Sequence, residues 1–139
     1  MIGLINYNGG NYKSVSNILE YLDIKFIEIN NNLDLNKVSH IILPGVGSYN
    51  NLASKLKSNH LFDEILYQID VKKTFYLGIC VGMQLLSNYG LENIKTKGLS
   101  LIEGVVEKIP VENEILPNIG WHNIILENKD SPLFKDIEI

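Results

Sequence analysis

The stretch Phe75–Leu86, FYLGICVGMQLL, decides how this chain is read. An apolar run of strand character ends on Gly78-Ile79-Cys80-Val81-Gly82 and passes at once into apolar residues at helical spacing. Cys80 is the only cysteine of the chain. A thiol that merely packs would sit well in the middle of a strand. A cysteine between two glycines at a strand-to-helix bend has the placement of a nucleophile. A G-x-C-x-G turn forces the backbone into a cramped conformation in which only small neighbours fit. The N–H groups that open the next helix then face the sulfur, favour its thiolate and can hold an oxyanion.

Upstream of this bend, strand and helix patterns alternate. Met1–Tyr7 is a short apolar run ending in NYNGGN, a strand and a turn. Residues 12–22 put Val15, Ile18, Leu19 and Leu22 on one helical face. IKFIEI (24–29) alternates as a second strand, and the Asn-rich NNNLDLN (30–36) predicts a loop. HIILPGVG (40–47) is a third strand that runs into a Pro-Gly bend. Leu52 and Leu56, then Leu61, Phe62, Ile65, Leu66 and Ile69, predict two helices between residues 49 and 71. TFYLGI (74–79), short and wholly apolar, predicts a strand at the centre of a parallel sheet. The order is that of a doubly wound α/β fold, a mostly parallel sheet with flanking helices. Beyond Asn88, LSLIEGVVEKIP (99–110) and NIGWHNIILE (118–127) predict short strands of more antiparallel character. With no repeat, linker or low-complexity tract, the 139 residues read as a single domain.

Composition narrows the function classes. The net charge is −4, and all 12 basic residues are lysine. That argues against a nucleic-acid partner, which needs clustered positive charge, and against a phosphate-rich ligand gripped by guanidinium clamps. One cysteine forms no intramolecular disulfide, in keeping with a reducing compartment. The N-terminus lacks the basic and apolar regions of a signal peptide, and no run nears the roughly 18 apolar residues that span a bilayer. The expectation is a soluble, cytoplasmic protein with no membrane partner. A lone cysteine and three scattered histidines lack metal-ligand spacing, and there is no Walker-type loop.

LPGVGSY (43–49) also follows a strand, so it belongs on the same sheet edge as Cys80, the edge where open α/β sheets bind ligands. A Pro-Gly-x-Gly bend brings backbone N–H groups close to a ligand and would supply a second oxyanion donor. Taken together, GICVGMQLL resembles the G-x-C-x-G-x-Q elbow of the class I glutamine amidotransferases, with PGVGSY in the expected order before it. KGLSLIEGVVEKIP (97–110) and LPNIGWHNI (116–124) are similar to one branch, the glutaminase subunit of imidazole glycerol phosphate synthase. The resemblance runs from IGLINYNGGN to PLF (132–134).

The resemblance implies a flavodoxin-like class I glutamine amidotransferase fold and a place in histidine biosynthesis. Cys80 would attack the side-chain amide of glutamine, release ammonia and form a glutamyl thioester that water cleaves to glutamate. The backbone of Val81, with that of Val46 or Gly47, would form the oxyanion hole. Gln84 matches a position that contacts bound glutamine, and Glu92 an acidic position that holds its α-amino group. Ammonia would pass through a tunnel to a (β/α)8 synthase subunit in a heterodimer that forms imidazole glycerol phosphate and AICAR. Asn11 and Trp121 match positions facing that partner. No cofactor or metal is implied. Plainer readings stand beside these roles. Gln84 fits an exposed helix residue, Glu92 a surface charge, Trp121 a half-buried core aromatic and Asn11 ordinary turn chemistry.

The resemblance also leaves a gap. The family's cysteine works with a histidine and a carboxylate from near the C-terminus. Here His40 opens a strand far from the catalytic edge, His60 lies between two helical segments, and His122 is followed by no acid in a triad-like context. Residues 1–139 therefore read as the N-terminal portion of a glutamine amidotransferase type 1 domain with the C-terminal part missing, a chain expected not to sustain glutamine hydrolysis alone. Asn118 and His122 in PNIGWHN also depart from the family's Pro-His-x-Gly-Trp-Asn. Two other readings fit: a paralogous ammonia supplier for a sugar amidotransferase of surface-polysaccharide synthesis, and a catalytically incomplete partner-docking domain. A thiol hydrolase with the same elbow is a third.

Overall fold

The computed structural model describes residues 1–110, 120–127 and 131–135. The chain divides into two units, Met1–Ile109 and Pro110–Ile139. The first unit carries a four-stranded sheet ordered β2-β1-β3-β4. Its strands are β1 (Ile2–Ile5), β2 (Phe26–Ile29), β3 (His40–Gly45) and β4 (Phe75–Cys80), and every neighbouring pair is parallel. Parallel pairing needs crossovers, and three helices supply them: α1 (Tyr12–Tyr21) between β1 and β2, then α2 (Tyr49–Ser58) and α3 (Phe62–Asp70) between β3 and β4. The doubly wound α/β fold expected from the sequence is the one observed.

The helices form where the apolar spacing asks for them. α2 buries Tyr49, Leu52, Ala53 and Leu56, and α3 buries Phe62 and Ile65, all in one core with Ile5, Ile29, Ile41 and Leu43 from the sheet. Each such leucine or isoleucine contributes roughly 1.5–3 kcal/mol on leaving water. Lys55 and Lys57 in the last turn of α2, and Asp63 and Glu64 in the first turn of α3, complement the helix ends. The opposite face of the sheet has a smaller core of Leu4, Ile42 and Leu19.

Four expectations need correction. The segment 30–36 is not an open loop: Asn32–Lys37 forms a 3-10 helix, capped by the Asn31 side chain accepting from the Leu33 amide and anchored by buried Leu35. Ile18 and Leu22 do not join the buried stripe of α1 but are more than half exposed, because the helix covers the sheet mainly through Leu19 and Ser16. β4 is not central. It ends the sheet among the described residues, and its apolar Phe75, Leu77 and Ile79 are exposed on the face away from Tyr76 and the larger core. The fourth concerns the residues after Asn88. Three two-residue strands, β5 (Tyr89–Gly90), β6 (Thr96–Lys97) and β7 (Val105–Val106), form a small sheet ordered β6-β5-β7. Only the β5–β6 pair is antiparallel. In the second unit, residues 120–127 form no strand, and Pro132–Phe134 is a 3-10 turn capped by Ser131. Asn118 lies outside the described residues.

Candidate active site

Four parallel strands put their C-terminal ends on one edge, and Cys80 is the last residue of β4 there. It pairs in register with Gly45, the last residue of β3. At Cys80 the backbone turns sharply, with φ 56° and ψ −114°, and the thiol is exposed. A non-glycine residue in this sparsely populated region costs on the order of 1–3 kcal/mol, and the surroundings must over-determine it. The helix that follows, α4 (Val81–Gln84), is a single turn, shorter than the apolar spacing suggests. Any donor to a group at Cys80 is thus the first N–H groups themselves rather than the summed dipole of a long helix.

Three glycines make the turn possible. A Cβ on Gly82 would fall on the Leu43 carbonyl oxygen, and one on Gly78 would collide with the Gly82–Met83 backbone. A Cβ on Gly45 would lie 2.6 Å from the Gly82 nitrogen. The elbow therefore presses backbone against backbone on β3, which explains why PGVG and GICVG carry glycine where they do. Tyr76 secures the turn from below: its hydroxyl donates to the Gly82 carbonyl at 2.7 Å, and burial pushes its pKa far up, so it remains a neutral donor. Sequence reading passed over this tyrosine, whose signal is only its alternation with the outward Phe75 and Leu77.

The remaining residues singled out from sequence distribute as follows. Val81 is buried beneath the elbow, while Val46 and Gly47 lie beyond β3 in the open. Gly47 has φ 89°, and a side chain there would meet nothing within 4 Å. Close packing of Gly45 on Val81 and Gly82 brings the 46–47 segment alongside Cys80. Gln84 ends the one-turn helix, partly buried. Glu92 is exposed, yet its carboxylate accepts the Tyr49 backbone N–H at 2.8 Å and so caps α2. The Asn93 side chain meets Asn50 nearby at 3.3 Å, tying the loop after β5 to the PGVGSY segment. The Tyr49 ring fills the space that Gly90 and Gly98 leave free, and its hydroxyl lies 3.0 Å from the Ser87 Oγ.

Asn11 precedes α1, exposed, at the same sheet edge, and its side chain caps nothing. Trp121, in the second unit, is fully exposed, which removes its reading as a half-buried core aromatic. His40 stacks on Phe75 at 4.9 Å and sits at the start of β3, five extended residues or roughly 16 Å from the Cys80 edge. His60 adopts φ 56° between α2 and α3, a helix-boundary residue as its position predicts. Among the described residues no group of His, Cys, Asp and Glu gathers as metal ligands.

No protein-family model matches the chain. Curated relatives do. The imidazole glycerol phosphate synthase subunit HisH of Methanocaldococcus jannaschii is 40% identical over 138 residues, 99% of this chain and 67% of that protein. The protein of the same name from Listeria welshimeri is 38% identical over 140 residues, 99% of this chain and 66% of its own length. The chain thus spans about two thirds of the relatives it matches. Among solved structures, a glutamine amidotransferase crystal structure superposes with a TM-score of 0.64 at 18% identity over 75% of this chain and 54% of that one, a likeness of fold. The elbow, the paired glycine strand and the similarity over 99% of this chain agree, and the chain belongs to the family of imidazole glycerol phosphate synthase subunit HisH.

Proposed function

We propose that this chain is the nucleophile-bearing portion of a glutaminase that supplies ammonia to a synthase in histidine biosynthesis. The observation that carries the reading is Cys80 itself, exposed at the C-terminal edge of the sheet, in a strained turn, and in register with Gly45. A thiolate there attacks the side-chain carbonyl carbon of glutamine. The tetrahedral oxyanion is held by the backbone of Val81 and of Val46 or Gly47, ammonia leaves with a transferred proton, and water hydrolyses the thioester to glutamate. Gln84 contacts the bound glutamine and Glu92 its α-amino group. The ammonia passes to a (β/α)8 synthase subunit of a cytoplasmic heterodimer, docked through Asn11 and Trp121, which forms imidazole glycerol phosphate and AICAR. Being named as subunits, the relatives support a partnered protein, and among the described residues no helix is long and apolar enough to cross a membrane.

Residues 1–139 are, in this reading, the N-terminal portion of the amidotransferase domain. The exposed Phe75, Leu77 and Ile79 on β4, the edge strand among the described residues, support it, since an apolar sheet face of this kind calls for a covering layer. Neither His40 nor His60 is placed to serve Cys80, and His122 is followed by no acid in a triad-like context, so in this reading the proton shuttle comes from elsewhere and the chain alone does not turn glutamine over. The test has two parts. Stoichiometric labelling of Cys80 by a glutamine-mimicking electrophile in the synthase complex is expected, and an unreactive Cys80 there would leave only a docking role. Steady, Cys80-dependent hydrolysis by residues 1–139 alone would refute the incomplete-site reading.

A further inference from the structure

Glu28 is a charge on a strand that otherwise serves the core. Its neighbours Ile27 and Ile29 pack in the main core, and Phe26, on its own side of the sheet, packs in the smaller one. Both carboxylate oxygens of Glu28 are engaged. Oε1 accepts from the Asn6 Nδ2 at 2.8 Å, and Oε2 accepts from the Tyr12 hydroxyl at 2.9 Å. Asn6 is the residue that follows β1, and Tyr12 is the first residue of α1. One carboxylate therefore fastens both ends of the turn formed by residues 7–11. Within that turn Asn8 and Gly10 have positive φ, 56° and 78°. The Asn8 N–H donates to the Asn6 Oδ1 at 3.1 Å, and Lys55 of α2 donates to the Asn8 carbonyl at 3.1 Å. Asn6 thus holds Glu28 with one end of its amide and the turn with the other. Burial and the neighbouring carboxylate push the Tyr12 pKa up to about 12, so its hydroxyl keeps the proton it donates. The last residue of the turn stands apart. Asn11 occupies the N-cap of α1, where asparagine ordinarily bonds a backbone N–H of the first turn, yet its exposed side chain caps nothing. Its backbone, at φ −98° and ψ 49°, is off the extended conformation from which such a cap is made.

We infer that Glu28 is a positioning residue of a protein-docking surface: by fastening Asn6 and Tyr12 it holds the 7–11 turn so that the Asn11 side chain, not spent on capping, meets the synthase subunit. This rests on the docking role proposed above for Asn11. The Tyr12–Glu28 bond, one residue on, fixes where α1 begins and with it the direction in which the Asn11 amide is offered. The turn exposes neutral amides, Asn8 and Asn11, on either side of Gly9 and Gly10, groups that both donate to and accept from a folded polar partner. Glu28 is itself exposed, so its removal costs the free subunit little stability. The loss appears on association, when a turn no longer held must be ordered against the partner.

The test is a double-mutant cycle of Glu28→Ala and Asn11→Ala in the whole glutaminase, titrated with the synthase subunit by calorimetry, with the melting temperature of each free glutaminase measured alongside. Each single variant is expected to raise Kd about fivefold or more, and the double variant to stay within about threefold of Asn11→Ala alone, because Glu28 acts through Asn11. Glu28→Ala should melt within about 3 °C of wild type. A smaller rise in Kd for Glu28→Ala, losses that multiply in the double variant, or a loss of affinity that comes with a larger fall in melting temperature would each overturn the assignment. Multiplied losses would make Glu28 a contact in its own right, and a fall in melting temperature would make it a prop of the fold. Wild-type protein separates the claims. If it binds no synthase subunit, the functional reading fails and this one with it. If Asn11→Ala is harmless, the docking role of Asn11 fails and takes that of Glu28 along; if Asn11→Ala weakens the complex and Glu28→Ala does not, only the role of Glu28 fails.

Discussion

Replacing Gly45 by alanine tests the elbow without touching its chemistry. The new Cβ would stand 2.6 Å from the Gly82 nitrogen and 3.1 Å from the Val81 carbonyl carbon, both backbone atoms that cannot rotate aside. Ordinary van der Waals contact begins near 3.4 Å, so the elbow must retreat from β3 by about 0.8 Å. The retreat works against a bend pinned by Gly82 on the Leu43 carbonyl and by the Tyr76 hydroxyl. Overpacking of this kind costs about 1–3 kcal/mol. At about 4 °C per kcal/mol, that is a fall of roughly 4–12 °C in melting temperature for a domain of this size. The larger effect falls on chemistry. A displacement of nearly 1 Å between nucleophile and oxyanion donors costs about 100-fold in rate. The assay is glutamine hydrolysis by the synthase complex, with thiol alkylation by iodoacetamide as a reference, because Cys80 is exposed and a small reagent needs no oxyanion hole. Hydrolysis should fall about 100-fold while alkylation stays within a few-fold. A Gly45→Ala protein that melts within 1 °C of wild type and hydrolyses glutamine within roughly threefold of its rate would refute the argument that this contact positions the nucleophile.

Other residues give narrower expectations. Tyr76→Phe strands the buried Gly82 carbonyl and should lower stability by about 1–3 kcal/mol, read from the midpoint of urea unfolding. Glu92→Gln keeps an acceptor for the Tyr49 amide and should cost under about 1 kcal/mol in the same assay. If Glu92 also holds the substrate ammonium, that variant raises KM for glutamine at least tenfold, and an unchanged KM confines it to capping α2. Hydrogen bonds from Asn6, Asn30 and Tyr12 hold the Glu28 carboxyl below its ordinary value of 4.5. Its contribution is therefore present above pH 4.5 and is lost as pH falls through the lowered pKa. Glu28→Gln should flatten that acid limb slightly, as an exposed group permits, and an unchanged acid profile would remove Glu28 from it.

The sequence and the structure agree where local patterning and tertiary environment make the same demand. The stripe Leu52, Leu56, Leu61, Phe62 and Ile65 is amphipathic at helical spacing and is buried as such. The elbow was legible because its glycines answer a backbone-to-backbone approach that no other residue allows. Other features depended on partners distant in sequence. Nothing local in LENIKT announces that Glu92 will cap α2, since its partner amide at Tyr49 arrives only when the loop after β5 folds over the sheet edge. Tyr76 and Tyr7 looked like two apolar strand residues, and what sets them apart is where their hydroxyls end. One is paired with the nucleophile turn, and the other is buried without a hydrogen-bond partner among the described residues.

β4 carries the most informative disagreement. Six residues without a charge read as a strand buried on both faces, yet among the described residues one face of β4 is covered and the other is exposed. Composition reports the environment a strand is suited to, whereas coordinates report the layers present beside it. Tyr76 meets its expectation because α2, α3 and the elbow lie on its side. Phe75, Leu77 and Ile79 do not, because α1 covers the sheet through Leu4, Leu19 and Ile42 and not at β4. The same uncovered strand ends in Cys80, so whatever layer closes over Leu77 and Ile79 must arrive at the edge that holds the nucleophile. If residues 1–139 are the N-terminal portion proposed above, completion of the core and completion of the active site are one event. Burial of Phe75, Leu77 and Ile79 in the assembled glutaminase, followed by hydrogen exchange of the β4 amides, should therefore rise in step with the reactivity of Cys80 toward glutamine. Reactivity gained while β4 still exchanges freely would separate the two and break the argument.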